Sequence, residues 1–416
     1  MRDFPPRDKE RRDQLLGTIR ETYLRHGFEE IETPAIEDLE RLHSGLGGDN
    51  EKLSFAILKR GLNTEDLRQA TSPEELADLG LRFDLTVPLA RFYASNHAVL
   101  PPVFRSFHTG PVWRAERPQK GRYRQFLQCD IDILGEASSL AEVEVVLATA
   151  DALHRLGVDG FTFRVNDRRL LTALLIAAGI APEHHGDALI TLDKLDKIGA
   201  EGVLAELGER LPAGFDHGVL AAVLSGAPVA LDPGAISQVM GGSPEARVAA
   251  EELCEWAQTV ADVLDSGVVS FDPALVRGMG YYTSSIVEIA HPDMGISIGG
   301  GGRYDGMIGR FLGTDVPAFG LSLGFERLSD VVPVDATAHP DRVALLYDTE
   351  NPGDHLVALK IQLVDTGHTV RLVSKSKNLR PVYEQLVNDG FSRVADVTPD
   401  ISESASLAWR DLSGGN

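Results

Sequence analysis

Apolar residues recur at two periods along this chain, and the switches between them mark out its elements. Leu15, Leu16, Ile19, Tyr23 and Leu24 fall on one stripe at helical spacing and predict an amphipathic helix over residues 8–26. After His26-Gly27, the segment FEEIETPAIE reads as a short strand broken at Pro34, because proline has no N–H to give to a ladder. Residues 49–80 keep neither period and predict a surface excursion. LRFDLTVPLARFY (81–93) reads as a strand running into a helix. Residues 103–135 read as strand, loop, strand, with a turn expected at Gly110-Pro111 and a second strand at FLQCDIDIL. Residues 138–156 predict a helix.

The pattern then changes. After FTFRVN the chain is Ala/Leu-rich up to about residue 250, interrupted by PEHHG, LPAGFDHG and LDPG, which predicts a helical insertion of domain size. Strand alternation returns from about residue 268 in SSIVEIA, GISIGGG and PAFGLSLGFERL. TAHPD (337–341) reads as a linker. Beyond it RVALLYD, HLVALKIQLVDTG and HTVRLVS form a β-α-β pattern. The segments expected from this pattern are 1–165, a helical insertion over 166–255, a return to the first domain over 256–335, and a small α/β domain over 340–416.

The 416 residues suffice for two or three domains. No run of eighteen apolar residues predicts a membrane span. The segment MRDFPPRDKERRD has no apolar stretch of the kind a secretory signal needs, so cytoplasm is the expected compartment. Cys129 and Cys254 are far apart and match no zinc spacing, and the histidines form no metal-binding pattern, so no protein-encoded metal site is expected. The formal net charge of −22 argues against diffuse nucleic-acid binding but leaves room for a local basic groove.

Such a groove has a candidate. Arg105, Arg114, Arg117, Lys120, Arg122 and Arg124 crowd a stretch that holds a single acid, Glu116. Guanidinium groups gathered in this way suit bidentate recognition of phosphate oxygens. On the strand that follows, Gln128, Asp130 and Asp132 share one face, and Leu127, Cys129, Ile131 and Ile133 share the other. The apolar face belongs to a core. The polar face is either solvated or part of a site. Asp84 and Thr86 in LRFDLTVP either cap the following helix or hold an ammonium group. In LVRGMGYYTSSIVE, Arg277 precedes Tyr281 and Tyr282, which are either core residues or site residues. ISIGGGGRYDGMIGRF reads locally as a glycine-rich hairpin turn. Neither a P-loop nor a dinucleotide-binding glycine motif occurs, so any nucleotide would be held by arginines on an antiparallel sheet.

The order LRFDLTVPLARF, PVWRAERPQKGRYRQFLQCDIDILG, LVRGMGYY, GGGRYDG, PAFGLSLGFERL closely resembles the histidyl-tRNA synthetases, a family of class II aminoacyl-tRNA synthetases. The resemblance runs from RDFPP and GFEEIETP to the C-terminal segment. It implies an α+β fold: a six-stranded antiparallel class II sheet with flanking helices, a helical insertion domain and a C-terminal α/β anticodon-binding-like domain. It also implies a homodimer formed through the segment around Pro34, with L-histidine, ATP with Mg²⁺, and tRNA(His) as substrates. By the same resemblance, Arg114 and Arg277 are the catalytic residues. Glu116, Arg122 and Arg327 join Arg114 in holding ATP. Asp84, Thr86 and Gln128 take the histidine α-amino group, and Asp132 and Tyr282 read the imidazole nitrogens beside Tyr281. Arg117 and Gln119 approach the acceptor end of the tRNA.

Gly280 departs from the family pattern, which has Asp at this position of RGLDYY. The C-terminal segment is also short, with its basic residues confined to RLVSKSKNLR. Two rival readings share the fold. One is the regulatory subunit of ATP phosphoribosyltransferase in histidine biosynthesis, against which Arg114, Arg277 and Arg327 weigh. The other is a ligase that loads an acceptor other than tRNA.

Overall fold

Side-chain parity and strand register explain most of this architecture, seen in a computed structural model that describes residues 1–43, 54–117, 121–211, 214–264, 267–277, 280–333 and 339–412. The chain divides into two units, Met1–Pro333 and Val334–Asn416. Its strands, in chain order, are β1 (Glu29–Ile31), β2 (Ile36–Asp38), β3 (Phe55–Leu58), β4 (Ala77–Leu81), β5 (Phe104–Trp113), β6 (Gln125–Leu134), β7 (Thr162–Asp167), β8 (Val269–Phe271), β9 (Ser285–Ala290), β10 (Gly299–Arg303), β11 (Ala318–Gly324), β12 (His339–Tyr347), β13 (Thr369–Ser374), β14 (Phe391–Asp396) and β15 (Trp409–Asp411).

The large sheet of the first unit has the order β1-β5-β6-β11-β10-β9-β7-β8. The six strands from β5 to β7 are all antiparallel to their neighbours. Two three-residue strands extend them in parallel, β1 beside β5 and β8 beside β7, which makes eight strands where six were expected. On β6, Cys129, Ile131 and Ile133 have no exposed surface and pack into the core. Helices Pro6–Arg25 and Leu140–Arg155 cover this apolar face, where Tyr23 meets Phe107 edge-on with ring centroids 5.4 Å apart. Burying a side chain of this kind stabilises by about 1.5–3 kcal/mol. The other face of the sheet carries the polar parity and is left open as a cleft.

Four local expectations are corrected. Gly110-Pro111 makes no turn, and β5 runs straight through it. Its tolerance for proline follows from the pairing. The Trp113 N–H points away from β6 to Arg82 O, so the N–H that Pro111 lacks lies on that same side and costs no ladder bond. The strand expected at the start of 81–93 ends at Leu81, and residues 82–85 form a turn before helix Thr86–Asn96. Arg82 is buried over Gly110 of β5 and donates to Thr33 O and Pro111 O. The glycines at 299–302 form strand β10 rather than a hairpin turn. Of the expected surface excursion, residues 49–53 lie outside the described residues, and β3 and β4 join β2 in a three-stranded sheet.

Among the described residues, six α-helices lie within Arg168–Val263. Asp167, Asp216, Asp232 and Ser243 cap four of them by accepting hydrogen bonds from first-turn N–H groups. In the second unit, β12 lies between β13 and β14, both parallel to it, and β15 is antiparallel to β14. Val343 and Leu345 face Leu356, Leu359 and Leu363 on one side of this sheet. Ala344 and Leu346 face Leu386 and Val394 on the other. A strand buried on both faces reads as a continuous apolar run, as VALL does. Residues 339–341 of the expected linker already belong to β12.

Candidate active site

A cleft of about 1040 Å³ opens over the polar face of the large sheet. Asp84, Thr86, Arg114, Glu116, Arg122, Gln128, Asp132, Arg277, Tyr281, Tyr282 and Arg327 all line it, joined by Asp130, Tyr304 and Ser322. Arg117 is exposed and lies outside the lining, and Gln119 falls outside the described residues.

The turn before helix Thr86–Asn96 decides how Asp84 is used. One oxygen of this carboxylate, Oδ1, accepts from Val87 N at 3.2 Å and caps the helix, and the other, Oδ2, is buried and left without a partner. Gln128, Asp130 and Asp132 come from β6 and are all at most 7% exposed. Gln128 donates from Nε2 to Ser322 Oγ at 2.8 Å, leaving its Oε1 buried and unpartnered. Tyr304, just after β10, donates to Asp132 Oδ1 at 2.5 Å. Tyr281 and Tyr282 are buried side by side with centroids 4.7 Å apart, and Tyr304 stands edge-on to Tyr281.

Burial disfavours the charge of the three carboxyls gathered here. Burial pushes Asp84 up to about 6 and Asp132 up to about 7, the latter against the Tyr304 hydrogen bond, which favours the carboxylate. Burial first, and then the charge of Asp132, raises Asp130 well above the usual range.

Arginines supply the opposite charge. Arg114 is oriented by a hydrogen bond from Nε to Phe83 O at 3.0 Å and lies over the Phe126 ring at 5.0 Å. Arg327, on helix Phe325–Val331, is held by donations to Gly121 O and Ser297 O, both at 3.0 Å. Arg122 pairs with Glu116 at 3.9 Å. Burial first, then the charges of Arg122, Arg114 and Arg277, lowers the pKa of Arg327. Arg277 has a buried Nε with no partner. Backbone carbonyls and carboxylates hold these guanidinium groups: Phe83 O holds Arg114, Gly121 O and Ser297 O hold Arg327, and Glu116 pairs with Arg122.

Glycines shape the floor. A Cβ at Gly300 would overlap Arg277 Nη1, and one at Gly320 would overlap Asp132 Oδ1. Gly300 and Gly302, on one face of this strand, are bare where Arg277 and Tyr282 lie across it, while a Cβ at Gly301 would meet the backbone of Gly320. Asp130, Ser322 and Tyr304 were not singled out as site residues in the sequence. Asp130 shares the parity of Gln128 and Asp132, which was signal enough; Tyr304 and Ser322 reach the site only through register.

Similarity to known proteins bears on the same residues. A family model described as histidyl-tRNA synthetase matches residues 1–328. The chain belongs to the histidyl-tRNA synthetase family. It is 54% identical over 408 residues to the histidine–tRNA ligase of Leifsonia xyli, covering 96% of this chain and 94% of that one. Its fold matches the crystal structure of histidyl-tRNA synthetase from a Nostoc species with a TM-score of 0.76 and 25% identity, over all of this chain and 94% of the other. The family's six-stranded antiparallel sheet is thus the central part of the eight-stranded sheet. Gly280, where the family pattern has Asp, lies in an exposed turn immediately before Tyr281, and nothing in the structure explains the glycine.

Proposed function

We propose that this chain acts as a histidine–tRNA ligase, activating L-histidine with ATP to histidyl-adenylate and passing the histidyl group to the 3′ end of tRNA(His). The carrying observation is the set of buried polar atoms without partners: Asp84 Oδ2 and Gln128 Oε1, both acceptors, and Arg277 Nε, a donor, in one cleft. Two acceptors suit an α-ammonium group, and a guanidinium donor suits an α-carboxylate.

In the first step the histidine carboxylate oxygen bonds to the α-phosphorus of ATP, and the bond from that phosphorus to the bridging oxygen breaks, releasing pyrophosphate. Like charge opposes this attack. Arg114 and Arg277 offset it at the reacting oxygens, with Glu116, Arg122 and Arg327 holding the rest of the nucleotide. Mg²⁺ enters with ATP as part of the substrate. Asp132 and Tyr282 satisfy the donor and acceptor of a neutral imidazole, with Tyr281 beside them. A site built to hydrogen-bond a polar side chain rejects analogues lacking it by about 10⁴–10⁵.

In the second step a ribose hydroxyl at the tRNA end attacks the acyl carbon and AMP leaves. Arg117 and Gln119 are assigned to the approach of that end. Residues 166–255 serve as the insertion domain between the two parts of the catalytic domain (1–165 and 256–335), and residues 340–416 serve as the anticodon-binding domain. A homodimer forms through the segment around Pro34. Among the described residues no helix is long and apolar enough to cross a membrane, which supports a cytoplasmic enzyme.

The test is histidine-dependent ATP–pyrophosphate exchange followed by charging of tRNA(His). Arg277→Ala is expected to reduce exchange by about 10²–10³-fold. Absence of exchange with any amino acid would sink the reading in favour of a regulatory subunit, and exchange without charging would favour a different acceptor.

A further inference from the structure

The register of the large sheet lines up residues that are scattered along the chain. His108 pairs with Asp130, Asp130 with Ser322, Ser322 with Gly300, Gly300 with Glu288, and Glu288 with Arg164. Directly opposed residues share a face, so these six form one polar row across the sheet beneath the cleft. At Gly300 the row has no side chain. The guanidinium of Arg277 fills that gap, close enough that a Cβ there would overlap its Nη1.

Arg277 reaches this place from an irregular segment. It lies between β8 and β9 and belongs to no strand or helix, so sheet hydrogen bonding does not fix its backbone. It also shares the cleft with Arg327, and the two like charges repel, lowering the pKa of Arg327. Something must hold it against that repulsion. Glu288, its neighbour in the row, presents Oε2 at 3.8 Å from Arg277 Nη1. The other oxygen of Glu288 accepts from Arg164 Nη1 at 2.9 Å, and Arg164 Nε donates to Asp272 Oδ2 at 2.7 Å. Asp272 in turn accepts from Ala274 N at 3.0 Å, at the start of the segment that carries Arg277. The chain Asp272–Arg164–Glu288–Arg277 closes on itself through the backbone. Burial disfavours the Arg277 cation, but Tyr282 and Glu288 outweigh this and keep its pKa above the ordinary value. Glu288 does not line the cleft and acts there through arginines, chiefly Arg277 at 3.8 Å and more remotely Arg327.

We propose that Glu288, anchored by the Arg164–Asp272 pair, is the positioning residue that fixes the Arg277 guanidinium over Gly300 at the reacting end of the cleft. The inference rests on the synthetase reading and deepens it. Misplacing a catalytic group by about 1 Å costs about 100-fold in rate. Losing a carboxylate that orients such a group therefore acts on turnover rather than on amino-acid affinity.

The test uses the full-length protein in histidine-dependent ATP–pyrophosphate exchange, with Glu288→Gln, Glu288→Asp, Arg277→Ala and the Glu288→Gln/Arg277→Ala double variant. Glu288→Gln is expected to reduce kcat by about 10- to 100-fold while the KM for histidine changes less than about threefold. Because Glu288 works through Arg277, adding Glu288→Gln to Arg277→Ala should reduce kcat no further. A Glu288→Gln variant with wild-type kcat, or two losses that multiply in the double variant, would overturn the proposal. If Glu288→Gln shows no cooperative melting transition, Glu288→Asp takes its place in the same cycle, judged by the same two criteria. Wild-type protein that exchanges with no amino acid would overturn the synthetase reading and this inference with it, whereas wild-type exchange with an indifferent Glu288 overturns this inference alone.

Discussion

Tyr304 donates a 2.5 Å hydrogen bond to Asp132 across a strand that belongs to neither residue. Asp132 lies on β6, Tyr304 follows β10, and β11 runs between them. The bond passes over Gly320 of β11, which pairs with Asp132 and carries no side chain to block it.

The Tyr304 hydroxyl favours the charged form of Asp132, whose carboxyl burial has pushed up to about 7. Tyr304→Phe removes that donor, so the Asp132 pKa should rise further. If the carboxylate accepts from the imidazole N–H, the rise of kcat/KM for histidine with pH should move to higher pH, with a loss of about tenfold at pH 7. Histidine itself titrates in this range, so the readout is the difference between variant and wild-type profiles. Superimposable profiles would rule the role out.

Gly320→Ala should separate recognition from nucleotide chemistry. The added methyl meets Asp132 Oδ1 and sits 3.0 Å from Ile131 O, so the carboxylate must move. The expected result is a KM for histidine raised about 10- to 100-fold, with the KM for ATP little changed. Equal increases in both constants would contradict the assignment.

The raised carboxyls also predict how stability depends on pH. Asp84 and Asp132 move from an ordinary value of 3.8 to about 6 and about 7. Both hold protons more tightly when folded, so their contribution is complete below the unfolded pKa and is lost as pH rises through 6 to 7. These two carboxyls alone should cost on the order of a few kcal/mol between pH 5 and pH 8, opposed in part by His108, whose burial lowers its pKa to about 3. Asp132→Asn should flatten that slope and be more stable than wild type at pH 8, a trade of stability against function. Thermal melts of both proteins across this range check it; equal slopes for wild type and Asp132→Asn would refute it.

A buried ion pair outside the cleft gives a control. Arg303 donates from Nε to Glu142 Oε1 at 2.8 Å, with the two side chains only 8% and 3% exposed, and also donates to the carbonyls of Glu136 and Ser138. Arg303→Ala strands a buried carboxylate and should destabilise by about 3–5 kcal/mol in denaturant unfolding. Replacing both partners with apolar residues of similar volume should recover most of that loss. If the double variant is as unstable as the single, the pair matters for more than its charge.

Much of the site was legible in short segments. Gln128, Asp130 and Asp132 alternate with Cys129, Ile131 and Ile133, and period two alone places the first three opposite a core. Arg114 and Arg122 stand out from an acidic background. Local reading failed where the deciding partner was distant. Gly110-Pro111 resembles a turn until the pairing of β5 shows that the missing N–H has no ladder bond to lose. The glycines of β10 resemble a hairpin until Arg277 and Tyr282 are found lying across them, a Cβ at Gly302 meeting the Tyr282 ring at 2.9 Å. Arg82 and Asp84 are two residues apart, yet the bend between strand and helix gives them different tasks: Arg82 ties Thr33 to Pro111, while Asp84 lines the cleft.

What the sequence determined by itself was the kind of surface each segment presents: an apolar face to bury, a polar face to leave open, and a cluster of guanidinium groups that needs an anion. Side-chain periodicity is local, so no partner is required to read it. Which polar faces meet was decided by tertiary structure alone. His108, Asp130, Ser322, Gly300, Glu288 and Arg164 come from six separate strands and form one row only because the register aligns them. A slip of one residue in any strand would turn that strand's contribution to the opposite face, and the core prevents the slip, since it would put buried apolar side chains into the cleft.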